Sequence, residues 1–355
     1  MLKKPGRPFG LLLLLFTVVA AGLLWWQTLR SQTQLRAQVL LQAEKRSDQL
    51  AGAVAGQMRA QLGVLDMALK DLRERWRADA PQRIEALARE ALSSLPAGFV
   101  SHLTVVSAQG VVVYNSLGVA PGTYVGDRRY FTALRGGGDR LLVSEPVQSR
   151  LIGQWAFTVS RPVLRAGRFD GVMSLVVRSS YLSERLAEVE LSDLDVVSLV
   201  HPDGRYLARS RNNDASMGRE VPADRPYRRN PALNHGTYRV EDAMDHAART
   251  YGWHRLPETG LVVSVGLADE TVLAPLRPAQ ARNLWVTGLL SLLLLGFGGV
   301  IARDQLQMAR SQRALAASEA QLKEAQRLTR MGSWTHDVAT GEVRWSDEVY
   351  RIFEL

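Results

Sequence analysis

Two uncharged apolar runs constrain this chain more than any other feature. They extend from Pro8 to Leu29 and from Asn283 to Ala302, and each is long enough, as a helix, to cross about 30 Å of hydrocarbon. Basic residues precede the first run and follow the second, which places both termini in the cytoplasm. A cleaved signal peptide is the alternative for the first run, but Trp25 and Trp26 at its far end favour a retained anchor. The polar residues between the runs are therefore expected to form an exported domain.

Composition excludes several classes of function. The formal net charge is +9, yet the basic residues form no clustered stripe, so we expect no nucleic-acid partner. The chain has no cysteine, which excludes disulfides and thiolate chemistry. Its six histidines show no recognisable ligand spacing, so neither a metal nor another cofactor is expected. Catalytic motifs such as a P-loop or a nucleophile elbow are likewise missing from the sequence.

A long helix is predicted after the first apolar run. Its apolar residues alternate in steps of four and three, which is the pattern of a helix with one buried stripe. Such a stripe packs either on its own domain or on a second copy, and Pro81 is expected to limit the helix. The stripe comprises Ala51, Ala55, Met58, Leu62, Leu65, Leu69, Leu72 and Trp76.

Beyond residue 100 the pattern changes to short strands, and one unit occurs twice. Residues 107–116 align without a gap on residues 201–210, and each segment has a turn glycine, Gly110 or Gly204. A second pair of blocks, starting at Gly171 and Gly260, leads from a strand into a helix in both copies. We therefore predict two tandem α/β lobes.

These features resemble the double Cache family of sensor domains over about residues 35–282. The most specific segments are 126–131 (GDRRYF), similar to the family's D-R-x-Y-F motif, and 155–162 (WAFTVSRP). The resemblance implies an α+β fold, with two transmembrane helices flanking a long helix and two PAS-like lobes. It also implies a bacterial inner-membrane protein with a periplasmic sensor, whose membrane-distal lobe binds a small molecule.

Five residues are predicted to contact this ligand. The resemblance places Arg128 and Tyr130 at the rim of the pocket, with Tyr114, Trp155 and Arg161 as companions. An arginine fork matches a carboxylate. The further Tyr, Arg, Trp and Asp residues of the family's amino-acid-binding subgroup do not align with this chain, so a small organic anion is favoured over an amino acid. The alternative is that the aromatic residues belong to the core and that Arg161 forms an internal salt bridge.

In the membrane-proximal lobe, Arg228 is expected to be the residue that corresponds to Arg128 and to contribute little to affinity.

The C-terminal part predicts a helical connector followed by a hairpin. Residues 303–329 lack Gly and Pro, and Met308, Leu315 and Leu322 recur every seven residues, which favours a parallel coiled coil, with a solvated single helix as the alternative. Residues 331–353 resemble the start of a PAS domain, with a turn at Thr340-Gly341 and a helix beginning near Ser346. His336 falls on a predicted strand.

The domain boundaries follow from these patterns. They are a cytoplasmic N-terminus (1–8), a first transmembrane helix (9–29), a long periplasmic helix region (30–96), a distal lobe (97–190), a proximal lobe (191–282), a second transmembrane helix (283–302), a connector (303–330) and a truncated PAS domain (331–355).

The sequence thus predicts a homodimeric transmembrane receptor with a small-molecule ligand and the lipid bilayer as partners. Two alternatives remain open. In the first, the full-length protein is an enzyme, either a histidine kinase or a diguanylate cyclase, of which this chain is a non-catalytic part. In the second, the chain is a dimerising anchor without a ligand.

Overall fold

The computed structural model describes residues 8–76, 81–118, 122–149, 152–189, 192–329, 331–338 and 340–353. The chain forms two compact units, one comprising Gln34–Arg277 and the other Met1–Thr33 with Pro278–Leu355.

The long helix predicted from the apolar stripe is present as α1, Pro8–Arg75. Its stripe is buried in the same hydrophobic core as residues of both lobes, including Leu103 and Leu199. The stripe therefore packs on its own domain, which is the first of the two alternatives. α1 ends at Arg75, before Pro81, and Pro81 opens α2, Pro81–Ser93, where its missing N–H costs no hydrogen bond.

The distal lobe is built on an antiparallel sheet of six strands. Its main path runs β2-β1-β6-β5-β3, and β4 pairs with β5. The strands are β1 Val100–Ser107, β2 Val112–Asn115, β3 Leu142–Val143, β4 Val147–Gln148, β5 Trp155–Arg165 and β6 Arg168–Arg178. Two helices accompany them, α3 Arg129–Arg135 and α4 Ser179–Ala187.

The proximal lobe repeats this arrangement with five strands in the order β8-β7-β11-β10-β9. They are β7 Val196–Val200, β8 Tyr206–Arg209, β9 His235–Val240, β10 Arg249–Arg255 and β11 Val262–Ala268. Its short helices are α5 Asn213–Ser216, α6 Pro226–Arg229 and α7 Asp269–Leu273.

The predicted internal repeat is confirmed by the details of the two hairpins. Gly110 and Gly204 both have positive φ, and their amides donate to Ser107 O and His201 O at 2.9 and 2.8 Å. A β-bulge interrupts the ladder at equivalent places, between Val105 and Val106 and between Leu199 and Val200. Such agreement in turns and irregularities is expected of two copies of one unit.

The other unit contains the second long helix, α8 Leu276–Thr329, which runs unbroken through the apolar run and the predicted connector. A two-stranded hairpin follows, β12 Trp334–His336 and β13 Val343–Trp345, and then α9 Asp347–Ile352. This confirms the hairpin, the position of His336 on a strand and the helix start at Ser346.

Both apolar runs lie in helices that are long and apolar enough to cross a membrane. Within this unit the helices meet through small and hydroxyl side chains. Thr28 Oγ1 lies 2.9 Å from Thr287 Oγ1, and a side chain at Gly298 would press on Thr17. Large apolar side chains such as Phe16 and Leu292 are exposed.

Candidate functional site

A cavity of about 420 Å³ lies in the distal lobe between the sheet and the segment that includes residues 123–130. Its wall combines small polar side chains of the sheet with charged and aromatic side chains of the covering segment. Among the lining residues are His102, Thr104, Asn115, Arg128, Arg129, Tyr130, Ser144, Glu145, Thr158 and Ser174. The cavity is large enough for a small organic molecule.

The sheet side of the cavity is polar but internally hydrogen bonded. Asn115 Nδ2 donates to Thr104 Oγ1 at 2.9 Å, and its Oδ1 accepts from Leu117 N at 2.9 Å. Ser174 Oγ lies 2.8 Å from Ser160 Oγ. Short side chains at these strand positions leave the space open, and their satisfied polar groups hold the wall in one conformation.

His102 forms part of the sheet wall and is almost completely buried. Burial lowers the pKa of this imidazole to about 4, because a charged ring loses its hydration. At neutral pH His102 is therefore uncharged, and one ring nitrogen can donate a hydrogen bond while the other accepts one.

The covering segment supplies the charge of the site. Arg128 is the N-cap residue of α3; it is exposed, and no carboxylate within the described residues pairs with it. Its neighbour Arg129 instead donates from Nη1 to Glu145 Oε2 at 2.7 Å. One arginine of the rim is thus free to meet an anion.

Tyr130 supplies a protonated hydroxyl beside Arg128. Burial raises the pKa of Tyr130 to about 12, although the neighbouring Arg128 acts in the opposite direction. The hydroxyl therefore remains able to donate a hydrogen bond at neutral pH.

The proximal lobe contributes one side chain to this cavity. His201 lines it, and its Nε2 lies 3.2 Å from Val143 O in the distal lobe. The two lobes therefore meet at the cavity wall.

Of the five residues predicted to bind a ligand, the structure brings Arg128 and Tyr130 together at the cavity. Arg161 lies elsewhere, and the salt-bridge alternative describes it correctly. On β5 it shares the strand face of Val159 and Val163, which pack in the core with α1. Its guanidinium pairs with Asp66 and donates to Asp139 at 2.6 Å.

The carboxylate of Asp66 reflects this pairing. Burial opposes ionisation, but hydrogen bonds from Arg161 and Lys70 hold the pKa of Asp66 below its ordinary value. Arg161 is thereby committed to a structural ion-pair network.

Tyr114 and Trp155 also do not line the cavity. Tyr114 pairs across the sheet with Val105, whereas Val112 pairs with Val106, so the bulge places Tyr114 on the core side of the sheet. Trp155 packs against Gly218 of the proximal lobe, where an added methyl group would lie 3.0 Å from the indole.

Sequence reasoning also misidentified the proximal counterpart of Arg128. Residues 127–130 (DRRY) recur as residues 224–227 (DRPY), and Arg225 is the N-cap residue of α6 just as Arg128 is of α3. The corresponding residue is therefore Arg225. Arg228 instead donates to Val221 O and lies against Gly204.

The equivalent space in the proximal lobe is filled by aromatic side chains. Trp253 pairs with Ser264 as Ser160 pairs with Ser174, and Tyr251 takes the ladder position of Thr158. The Tyr227 ring lies 5.4 Å from that of Trp253. Arg225 lies over Tyr238, 5.4 Å from the ring centre, so this arginine is used internally.

Comparison with known proteins gives one family match. The dCache_1 family, described as a Cache domain, matches residues 29–276. Among curated proteins, no match to the chain was found.

Several solved structures share this fold. The extracellular domain of rpHK1S-Z16, a candidate histidine kinase, is 27% identical, with a TM-score of 0.51 over 69% of this chain and 97% of that one. The ligand-binding domain of the amino acid chemoreceptor PctB of Pseudomonas aeruginosa PAO1, in complex with L-Gln, is 15% identical, with a TM-score of 0.54 over 68% and 98%. The ligand-binding domain of the Pseudomonas fluorescens chemoreceptor CtaA, in complex with L-isoleucine, is 14% identical, with a TM-score of 0.51 over 69% and 98%.

Proposed function

Because the chain belongs to the dCache_1 family of Cache domains, we propose that it is a ligand-sensing receptor whose distal lobe binds a small molecule. The observation that carries this proposal is the cavity beside Arg128 and Tyr130. An open cavity with satisfied polar walls supports a receptor over an anchor that has lost its ligand.

We propose a small organic carboxylate as the ligand. Arg128 offers a planar pair of donors matched to a carboxylate, and Tyr130 and the neutral His102 add hydrogen-bond donors. An amino acid is the second candidate, because Glu145 lines the cavity and could receive an ammonium group. Arg129 already occupies this carboxylate at 2.7 Å, which favours the simple carboxylate.

Calorimetry on the full chain in detergent tests this proposal. Matched pairs such as propionate and L-alanine differ by the ammonium group and separate the two ligand classes. For any ligand found, Arg128→Ala should weaken binding roughly 10 to 100-fold, because a charge-assisted contact is lost. Arg128→Lys should recover only part of the loss, since an ammonium keeps the charge but not the fork.

Two control variants remove the same charge elsewhere. Arg135→Ala changes the exposed last turn of α3, and Arg225→Ala changes the proximal counterpart. Both should bind ligand as the parent does. An Arg128→Ala protein that melts like the parent and retains its affinity would contradict the anion site.

The proposal extends to the membrane. Two helices with exposed apolar faces and a small, hydroxyl-bearing contact are what a bilayer requires of a helix pair, and the flanking Lys and Arg support a cytoplasmic C-terminus. A reporter fused after Leu355 should then be cytoplasmic and one inserted near Gly137 exported. The reverse result would refute this topology.

We further propose that α8 passes the signal to a PAS domain that begins with β12, β13 and α9, and that the receptor is a homodimer. Ligand can bias α8 only through unequal affinity for two arrangements. Met308, Leu315 and Leu322 are exposed along α8, which supports a contact with a second copy there. In the cysteine-free chain, cysteines placed along α8 should give cross-links that peak about every three to four residues, and cysteines two residues after each of these positions, on the opposite face of the helix, should cross-link least.

A further inference from the structure

Three potential metal ligands that are far apart in sequence meet where α1 packs on the sheet of the proximal lobe. Asp48 lies on α1, His235 on β9 and His254 on β10, and their ligand atoms all lie within 4.8 Å of one another. We propose that they form a binding site for a divalent transition metal ion, with Zn²⁺ as the best fit. This site is independent of the ligand cavity and of the proposed receptor function.

The distances are close to those a metal requires. Asp48 Oδ1 lies 3.2 Å from His254 Nε2 and 3.7 Å from His235 Nδ1. In a tetrahedral zinc site with bonds of about 2.0–2.1 Å, neighbouring ligand atoms are separated by about 3.3 Å. A hydrogen bond accounts for the first contact but is too short-ranged to account for the second. One carboxylate oxygen facing two imidazoles is the arrangement that a shared cation explains.

The strand pairing builds the histidine pair. His254 and His235 are directly opposed across β10 and β9. Arg255 N donates to Asn234 O at 2.7 Å, so the adjacent histidine pair is a non-hydrogen-bonded pair, in which opposed side chains lie closest. The two imidazole rings are accordingly stacked, with centres 5.2 Å apart.

Two glycines bring Asp48 to this pair. A Cβ at Gly252, on the same face of β10 as His254, would overlap the backbone of Ser47 and Asp48. Gly52 lies one turn after Asp48, and a Cβ there would be 3.2 Å from the His254 ring. Without side chains at these positions, α1 approaches the sheet closely enough for Asp48 to reach both rings.

The donor set indicates the class of ion. Neutral imidazoles with one carboxylate suit Zn²⁺ and its first-row neighbours, whereas Ca²⁺ and Mg²⁺ prefer all-oxygen sites. Because the His235 side chain is 65% exposed, water can complete the coordination. A bound ion would tie α1 to the outer strand of the proximal sheet and thereby stabilise the folded lobe.

Zinc titration of the full chain in detergent tests the site. The protein should carry a purification tag without histidines and be stripped with a chelator before the titration. Calorimetry should give about one Zn²⁺ per chain, Zn²⁺ should raise the melting temperature, and Co²⁺ should give the visible absorption of a site with nitrogen and oxygen ligands. His235→Gln and Asp48→Asn should each weaken Zn²⁺ binding at least about 10-fold.

His246→Gln is the matched control. The exposed His246 ring lies 2.9 Å from the carboxylate of Asp242. The substitution therefore removes a histidine–aspartate contact but none of the proposed metal ligands. This variant should bind Zn²⁺ as the parent does. His254 is less exposed than His235, so a substitution there could impair folding. The His235→Gln variant therefore decides whether the site binds Zn²⁺. No Zn²⁺ uptake by the parent at about 100 μM, or equal uptake by the His235→Gln and His246→Gln proteins, would overturn the proposal.

Discussion

The two lobes share one strand order but differ in what lies between the sheet and its covering segment. In the distal lobe, the ladder positions held by Thr158 and Ser160 are short and polar, and an open cavity results. In the proximal lobe, the same positions hold Tyr251 and Trp253, whose rings occupy that space. The fold therefore does not determine whether a lobe binds a ligand, since two side chains on one strand change the outcome.

The covering segments diverge in the same way. Each carries a D-R-x-Y sequence, but Arg128 is exposed and faces the cavity rim, while Arg225 lies over Tyr238. An arginine that has an internal aromatic partner is no longer available to an external anion. The proximal lobe can be regarded as a copy occupied by its own side chains.

The largest expected effect follows from emptying the proximal lobe. Trp253→Ala should lower the free energy of unfolding by about 3–5 kcal/mol, because a fully buried ring is replaced by a cavity. Chemical denaturation of the full chain measures this. Trp253→Phe should cost less, since the indole N–H donates to no partner within the described residues. An unchanged free energy of unfolding in the Trp253→Ala variant would show that the aromatic rings do not stabilise this lobe.

The next largest effect is a pH dependence of stability that arises in the distal lobe alone. His102 corresponds to Val196 in the repeat, and burial lowers its pKa from 6.5 to about 4. Between these values the unfolded chain binds the proton and the folded chain does not, so stability is lost as pH falls from 6.5. The loss should reach about 3 kcal/mol by pH 4.

His102→Val, which installs the proximal residue, should remove this part of the pH dependence. Denaturation curves recorded from pH 7 to pH 4 for both proteins provide the measurement. Parallel stability profiles would mean that His102 is not the group responsible.

The smallest effect comes from making the distal lobe resemble the proximal one. Thr158→Tyr places the proximal side chain at the cavity wall and should weaken ligand binding at least about 100-fold, or about 2.7 kcal/mol. Stability should change little, because the ring enters existing space. Calorimetry with the ligand found for the parent provides the test, and unchanged affinity would place the ligand elsewhere.

Local sequence patterns predicted most of the fold. The apolar stripe of α1, the turn glycines and the order of strands and helices each depend on residues that are close in sequence. α1 ends before Pro81 as expected, but α2, which Pro81 opens, was not predicted, because a proline is tolerated in the first turn of a helix. What the stripe packs against was left open, since a helix periodicity contains no information about its partner.

The candidate site was less predictable, because it depends on which face of a strand each residue occupies. Arg161 would have been assigned correctly from its parity with Val159 and Val163. Tyr114 could not have been assigned in this way, because the bulge in β2 changes which residues of the strand face the core. The recurrence of D-R-x-Y at residues 224–227 was visible in the sequence and would have identified Arg225. Asp48, His235 and His254 gave no signal, because only the folded sheet and α1 bring them together.

The bulge in each hairpin also determines how the chain tolerates insertions and deletions. Val113 is the extra residue of β2, and Leu207 is its equivalent in β8. Deleting either would restore regular pairing without moving the flanking side chains to the opposite face. Val113 is exposed, whereas Leu207 is completely buried. The distal hairpin can therefore lose one residue and keep both its cavity wall and its core, while the same deletion in the proximal hairpin removes a core side chain.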